Sequence, residues 1–282
     1  MQTPTTTPDL LQDFECSRPD EVGEKLERFI AAGIDKTHLL FDFDRTMTVS
    51  ASGDDDATTW QVLQRHLPAE GQVQYGELYQ KYRQLEIEGR LTEADASDWF
   101  RGVLRLYVAY GVNLNEVETD FVSVVSLRPD TKELLEWCSA QAVPTAILSA
   151  GIKDVIEILL KHYDVQADPV VSTQLTTDEK GIITGWMDDT LIHVLNKHEA
   201  GHPGLEQIRS ARPNCILIGD SMDDASMAAG DTNVLRIRVV DPRQGEVLDK
   251  EVVLATTFQK FDLAITTGTL DGISKLLRAI AG

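Results

Sequence analysis

Two short apolar runs that end abruptly in acid constrain this chain more than any other feature. Leu39-Leu40-Phe41 stops at Asp42-Phe43-Asp44, and Cys215-Ile216-Leu217-Ile218 stops at Gly219-Asp220, with Asp224 following. An uninterrupted apolar run suits a parallel strand covered on both faces. The carboxylates then emerge at the carboxyl ends of strands, where open α/β sheets bind ligands. Around these runs the signals alternate. A helix is predicted over 20–32, with Val22, Leu26, Phe29 and Ile30 on one face and Gly33 stopping it. A helix over 130–140 leads to a strand over 144–148, then to a helix carrying Val155, Ile156, Leu159 and Leu160. Residues 169–187 read as a hairpin turning at Asp178-Glu179-Lys180-Gly181. Strands over 234–240 and 262–266 follow, and a helix with Leu270, Ile273, Leu277 and Ile280 closes the chain. Such alternation predicts an α/β fold built on a doubly wound, Rossmann-like parallel sheet.

Between the first strand and residue 128 the texture changes. Tyr75, Leu78, Tyr79, Tyr82 and Leu85 make one helical stripe, read as packing rather than ligand contacts. Trp99, Val103, Leu106 and Tyr110 make another, after a cap at Thr92 with Asp95 three residues on. The expected organisation is therefore a flexible Thr/Pro-rich tail over 1–19, an α/β core over 20–49 and 128–282, and an inserted helical domain over 50–127. The acid run Asp54-Asp55-Asp56 falls in the hinge and reads as a solvated loop rather than a metal site.

Charge narrows the function. Against 26 basic residues stand 46 acidic ones, a net −20, which should repel nucleic acid and anionic membrane. An anionic substrate would need a divalent cation to enter a carboxylate-rich pocket. Cys16, Cys138 and Cys215 are scattered without CxxC spacing, which argues against a disulfide framework or zinc site and fits a reducing compartment. The start of the chain lacks the basic and apolar stretches of a signal peptide, and no apolar run approaches membrane-spanning length, so a cytoplasmic location is expected.

Four patches carry chemistry. In Asp42-Phe43-Asp44-Arg45-Thr46, one carboxylate can attack phosphorus while the other handles the leaving-group proton. Taken alone, the patch also reads as a solvated turn. Ser149-Ala150-Gly151, between a strand and a helix, offers a hydroxyl and backbone N–H groups to phosphate oxygens, although an N-cap serine is the plainer reading. Lys197 can balance the charge of carboxylates and phosphate, whereas a lone lysine is ordinarily a surface residue. His193, on the same segment, reads as structural. Asp220 with Asp42 meets the demand of Mg²⁺ for a few carboxylate oxygens, with Asp224 as a supporting partner. The plainer alternative is an Asp-rich turn capping a helix from Asp223. Order along the chain, each patch on the expected element, favours one shared site.

That order, DFDRT, LSAG, Lys197 and GDSMDD, resembles the four motifs of haloacid-dehalogenase-like (HAD) phosphatases. FDFDRTMT, LRPDTKELL, AILSAGIKDVIE, LIHVLNK, ILIGDSMDDASMA and the closing FDLAITTGTLDGISKLL are similar to the cytosolic pyrimidine 5′-nucleotidases, over most of 36–49 and 128–282. The resemblance implies Asp42 as nucleophile forming an aspartyl-phosphate, and Asp44 as acid and then base. Ser149 and the Ala150 amide would hold phosphoryl oxygens, and Lys197 would neutralise charge. Mg²⁺ would sit on Asp42, the Asp44 carbonyl, Asp220 and Asp224. Thr46 would orient the loop, Ser221 would assist the metal shell, and the insert would be the family's C1-type cap. In that family an acid followed by aromatics in the cap grips the base; Asp98-Trp99-Phe100 is the nearest match, with Asp for the usual Glu, and Trp99 reads equally as cap core.

The expected function is Mg²⁺-dependent phosphomonoester hydrolysis of a small phosphorylated metabolite, with a nucleoside monophosphate first and a sugar phosphate or phospho-amino acid as alternatives. Carbon–halogen hydrolysis on the same fold has no use for Asp44 or a metal. Phosphotransfer to an alcohol shares the intermediate and stays open. A non-catalytic binding protein would be expected to have lost a motif residue, and none is lost.

Overall fold

The computed structural model describes residues 7–50, 58–241 and 249–282. Asp54-Asp55-Asp56 lie outside them. The architecture is a six-stranded, all-parallel sheet between helical layers, with a helical insert after the first strand. Strands β1 (Thr37–Phe41), β4 (Thr145–Ile152), β5 (Val170–Thr173), β8 (Asn214–Gly219), β9 (Val234–Val239) and β10 (Leu263–Ile265) lie in the order β10-β9-β8-β1-β4-β5. Chain order reverses at β1, which makes its carboxyl end the switch point of the sheet.

Side chains of β1 alternate between two cores. Leu39 and Phe41 face a cluster with Leu26 and Phe29 of α2 (Pro19–Ala32), Leu134 of α7 (Thr131–Ala140) and Ile273 and Leu277 of α10 (Asp271–Ala281). Leu40 faces the opposite way, onto Leu205 of α9 (Pro203–Ala211), Ala225 and Met227. Burial on both faces explains why these strands read as continuous apolar runs. Ile30, expected on the inner face of α2, is 37% exposed: its neighbour Phe29 takes the core position, and one step of about 100° carries Ile30 outward. Gly33 closes α2 at φ +81°, a conformation that a Cβ disfavours.

Not every boundary agrees with the sequence. The tail expected over 1–19 is ordered from Thr7 onward: α1 (Thr7–Leu11) buries Leu10, Glu15 exchanges backbone hydrogen bonds with Ala264, and Lys275 pairs with Asp13. Apolar Leu10 and a free edge at β10 give this segment somewhere to dock, which composition alone does not reveal. The hairpin is shorter than 169–187. Only β6 (Leu175–Thr177) and β7 (Ile183–Trp186) form it, while β5 joins the main sheet.

The insert leaves and returns through a two-stranded antiparallel ribbon, β2 (Thr48–Ser50) with β3 (Val125–Leu127). Between them the described chain is helical: α3 (Thr59–Arg65), α4 (Ala69–Ile87), α5 (Glu93–Ala109) and α6 (Leu114–Val124). Capping boxes set two starts, Thr58 with Gln61 for α3 and Thr92 with Asp95 for α5. The hairpin braces the insert from the core side. Ile183 N–H bonds Val112 O, Leu114 N–H bonds Gly181 O, and Arg101 reaches Asp188 with two nitrogens.

Candidate active site

Strand register brings Asp42, Ser149 and Asp220 together. Phe41 of β1 is level with Ile218 of β8 on one side and Ile147 of β4 on the other. Asp42 therefore lies one step beyond the last level row, and Asp220 and Ser149 two steps beyond it on flanking strands. The chain then turns sharply after Asp44, with Arg45 at φ +65° and the Thr46 and Met47 amides bonding Phe43 O. Arg128, buried beneath this turn, donates to the carbonyls of Arg45, Thr46, Thr48 and Gly268.

Lys197 reaches the centre from the loop after the hairpin. Its Nζ lies 2.5 Å from Asp42 Oδ1 and 2.7 Å from Asp224 Oδ1, with all three side chains buried. Thr46 Oγ1 donates to Asp42 Oδ2 at 3.1 Å and lies 3.3 Å from Asp220 Oδ1. The second oxygen of Asp224 accepts from Ser221 N–H at 2.8 Å. Gly219 permits this approach, since a Cβ there would fall 2.4 Å from Asp224 Cβ. Arg238 Nε holds the Asp220 carbonyl at 2.9 Å.

The electrostatics are unbalanced. Burial pushes the Asp42 carboxyl above its ordinary range, and Asp224 adds to this against the pull of Lys197. Asp220 is raised by burial first, then by Asp42 and Asp224. Burial also pushes Asp44 up, with help from Asp42 and against two hydrogen bonds from Thr59, to about 7. For Lys197, burial acts downward, but Asp42 and Asp224 outweigh it and keep the ammonium charged. One lysine thus faces three clustered carboxylates. Oxygens of Asp42, Asp220 and Asp224 lie within 4.8 Å of one another, and an all-oxygen set with surplus negative charge is the chemistry of a hard divalent cation site.

Ser149 lies in the same cleft, but not as a helix cap. β4 runs on through a register shift to Ile152, which pairs with Thr173, and Ile152 rather than Ser149 precedes α8 (Lys153–His162). The bulged strand end directs Ser149 and Ala150 at the cleft instead. Ser149 Oγ accepts from Gly151 N–H at 3.1 Å. In the same way, the helix expected from Asp223 is only a single 3-10 turn, Asp224–Ser226.

The cleft holds about 320 Å³ and has two unlike ends. The sheet side presents Asp42, Asp44, Ser149, Lys197, Asp220 and Asp224; the insert presents Trp60, Tyr75, Tyr79, Trp99, Phe100 and Val103, with Arg83 and Glu86. Trp99 lies against Tyr82, with near-parallel rings 5.9 Å apart, and Trp60 meets the edge of Phe100 at 5.0 Å. Tyr75 and Tyr79, read from sequence as packing, line the cleft. Asp98 is corrected: it is exposed and does not line the cleft, because Phe100 and Ala96 take the inward face of α5. The acid that the insert turns toward the cleft is Glu86. His193 is buried outside the cleft with Nε2 3.2 Å from Ser97 Oγ, in keeping with a structural role. Thr59, Trp60, Arg128 and Arg238 were not singled out from the sequence. Of these only α3 leaves a signal, the capping pattern Thr58-Thr59-Trp60-Gln61.

A parallel sheet with acidic strand ends at its switch point, a buried lysine between them and an inserted helical layer give the fold of the HAD-like phosphatases. Within that class, a family model for pyrimidine 5′-nucleotidase (UMPH-1) matches residues 46–281, and the chain belongs to this family. The match begins after Asp42 and Asp44. The chain is 26% identical over 276 residues to 7-methylguanosine phosphate-specific 5′-nucleotidase A of Xenopus laevis, covering 93% of each chain. To a putative cytosolic 5′-nucleotidase 3 of Caenorhabditis elegans it is 29% identical over 231 residues, 75% of this chain and 60% of that one. Its fold is similar to that of cytosolic 5′-nucleotidase IIIB bound to cytidine, with TM-score 0.79, 22% identity and 99% and 98% coverage. A substrate-bound phosphoserine phosphatase is more distant, at TM-score 0.55, 17% identity and 86% and 97% coverage.

Proposed function

We propose that this chain hydrolyses nucleoside 5′-monophosphates in the cytoplasm, using Mg²⁺ and an aspartyl-phosphate on Asp42. The observation that carries the reading is the two-ended cleft: charge and hydroxyls on the sheet side suit a phosphate, and aromatic faces about a cleft's width away suit a base. A family of 5′-nucleotidases and a relative named cytosolic support it. Among the described residues no helix is long and apolar enough to cross a membrane.

In this reading Asp42 Oδ attacks phosphorus while Lys197 and Thr46 fix its orientation. Ser149 and the Ala150 amide receive the phosphoryl oxygens. Asp44, pushed up to about 7 so that it can exist in both states near neutrality, gives its proton to the departing 5′-oxygen and then takes one from the water that cleaves the intermediate. Asp42, Asp220, Asp224 and the Asp44 carbonyl would hold Mg²⁺, which when bound offsets the charge of carboxylates and phosphate. Trp99, with Trp60 and Tyr79, would receive the base; Asp98 has no part. The four insert helices over 59–124 serve as the cap that shields the reaction from water.

The test is phosphate release across pyrimidine and purine nucleoside monophosphates, 7-methylguanosine monophosphate, sugar phosphates and phosphoserine, with Asp42→Asn beside the parent. Nucleotides should lead by tenfold or more, and the variant should lose at least about 1,000-fold. A profile led by phosphoserine or sugar phosphates sinks the nucleotide reading; full activity in Asp42→Asn sinks the nucleophile.

A further inference from the structure

We propose that Thr59, the first residue of α3 in the insert, is the positioning residue that holds Asp44 for proton transfer, a role that rests on Asp44 being the acid. Thr59 is fully buried and gives Asp44 two hydrogen bonds, from its N–H to Oδ1 at 3.0 Å and from its Oγ1 to Oδ2 at 2.8 Å. The same hydroxyl accepts the Ile152 N–H at 3.2 Å. Asp44 is thereby fixed by the insert rather than by its own strand. Beneath the hydroxyl lies Gly151. A Cβ there would fall 2.5 Å from Thr59 Oγ1 and 3.1 Å from Asp44 Oδ2, so the space for this contact exists only because residue 151 is glycine.

Thr59 is itself held. The capping box of Thr58 and Gln61 fixes the first turn of α3. The next residue, Trp60, donates Nε1–H to Ala150 O at 2.8 Å, and its own carbonyl accepts from Tyr107 Oη at 2.9 Å. One turn of helix therefore touches the acid, the phosphate loop and the aromatic wall of the cleft. A hydroxyl has one proton to give and two lone pairs. With one lone pair on Ile152, its own proton goes to Asp44 Oδ2, so the carboxyl plane is fixed by a donated bond and the proton that Asp44 transfers is not spent on Thr59. A valine of the same shape cannot donate that bond.

The step it serves balances simply. The Asp42 oxygen–phosphorus bond forms, the ester P–O bond breaks, its electron pair goes to the leaving oxygen, and that oxygen takes the proton of Asp44. An alkoxide needs that proton to depart; p-nitrophenolate does not. The value of kcat/KM, which reports events up to leaving-group departure, should then separate the two. Thr59→Val is expected to lower kcat/KM about 30-fold for the preferred alkyl monoester and at most about 3-fold for p-nitrophenyl phosphate. Thr59→Ser should restore the alkyl ester to within about 3-fold of the parent. Equal losses on both esters, or no loss on either, would overturn the proposal. If Thr59→Val does not fold, Thr59→Ala serves in its place with the same expected split. A parent chain that releases phosphate from neither ester would instead remove the acid reading itself.

Discussion

His38 gives this fold a pH limit that can be measured apart from catalysis. It sits in β1, a few residues before Asp42 and Asp44, 2% exposed, with Nδ1 2.7 Å from Arg212 O. Burial pushes its pKa from 6.5 down to about 4; the Arg212 carbonyl resists this, and the Arg209 and Arg212 charges add to it. Between these limits the unfolded chain binds a proton that the folded chain does not, so stability falls as pH falls, by about 1.4 kcal/mol per pH unit. From pH 7 to pH 4 this one side chain should remove about 3 kcal/mol, a large share of an ordinary domain's stability. His38→Asn keeps a donor at the Nδ1 position and removes the titration. Urea unfolding of both chains at pH 7.0, 5.5 and 4.5 isolates the effect, because the raised carboxylates of the active site contribute equally to each. The variant should start less stable at pH 7 and gain on the parent by more than about 2 kcal/mol by pH 4.5. Parallel stability curves, within about 0.5 kcal/mol, would refute the reasoning.

Lys197→Met should leave Asp42 and Asp224 buried without their shared cation, at a cost of about 3–5 kcal/mol in metal-free buffer, together with loss of phosphate release; unchanged urea stability would contradict the pairing. Mg²⁺ at about 100 times its dissociation constant should stabilise the parent by about 2.7 kcal/mol, read as a rise in melting temperature that chelation reverses and Asp220→Asn abolishes. An equal rise in that variant would place the ion elsewhere. Arg128→Lys should lower kcat roughly tenfold with KM little changed, since fewer donors then hold the turn that aims Asp42; a change confined to KM would argue against that role.

The core and the clustering of the candidate site residues were legible because both follow from short-range pattern. A buried parallel strand is a run of apolar residues, and the acid that interrupts it marks where the strand leaves the sheet. Parallel register then carries Asp42, Ser149 and Asp220 to one edge with no further information. The cleft's outer wall was not legible, because a helical stripe looks the same whether it meets a core or a ligand. Tyr82 is buried while Tyr79, three residues earlier on that stripe, is 46% exposed at the cleft; what separates them is the placement of α5, not their spacing. Asp98 failed for the complementary reason. Its neighbours match a cap motif in order, but the phase of α5 is set by burial of Ala96, Phe100, Val103 and Tyr107, which turns residue 98 to solvent. Thr59 lies between these cases. Its capping pattern was there to be read, yet the partner of its hydroxyl stands fifteen residues back on another element. Contacts of that kind are fixed by how the insert docks on the sheet. The residues proposed to receive the substrate and to hold Asp44 therefore sit where sequence pattern is weakest, on the layer whose orientation the sheet does not dictate.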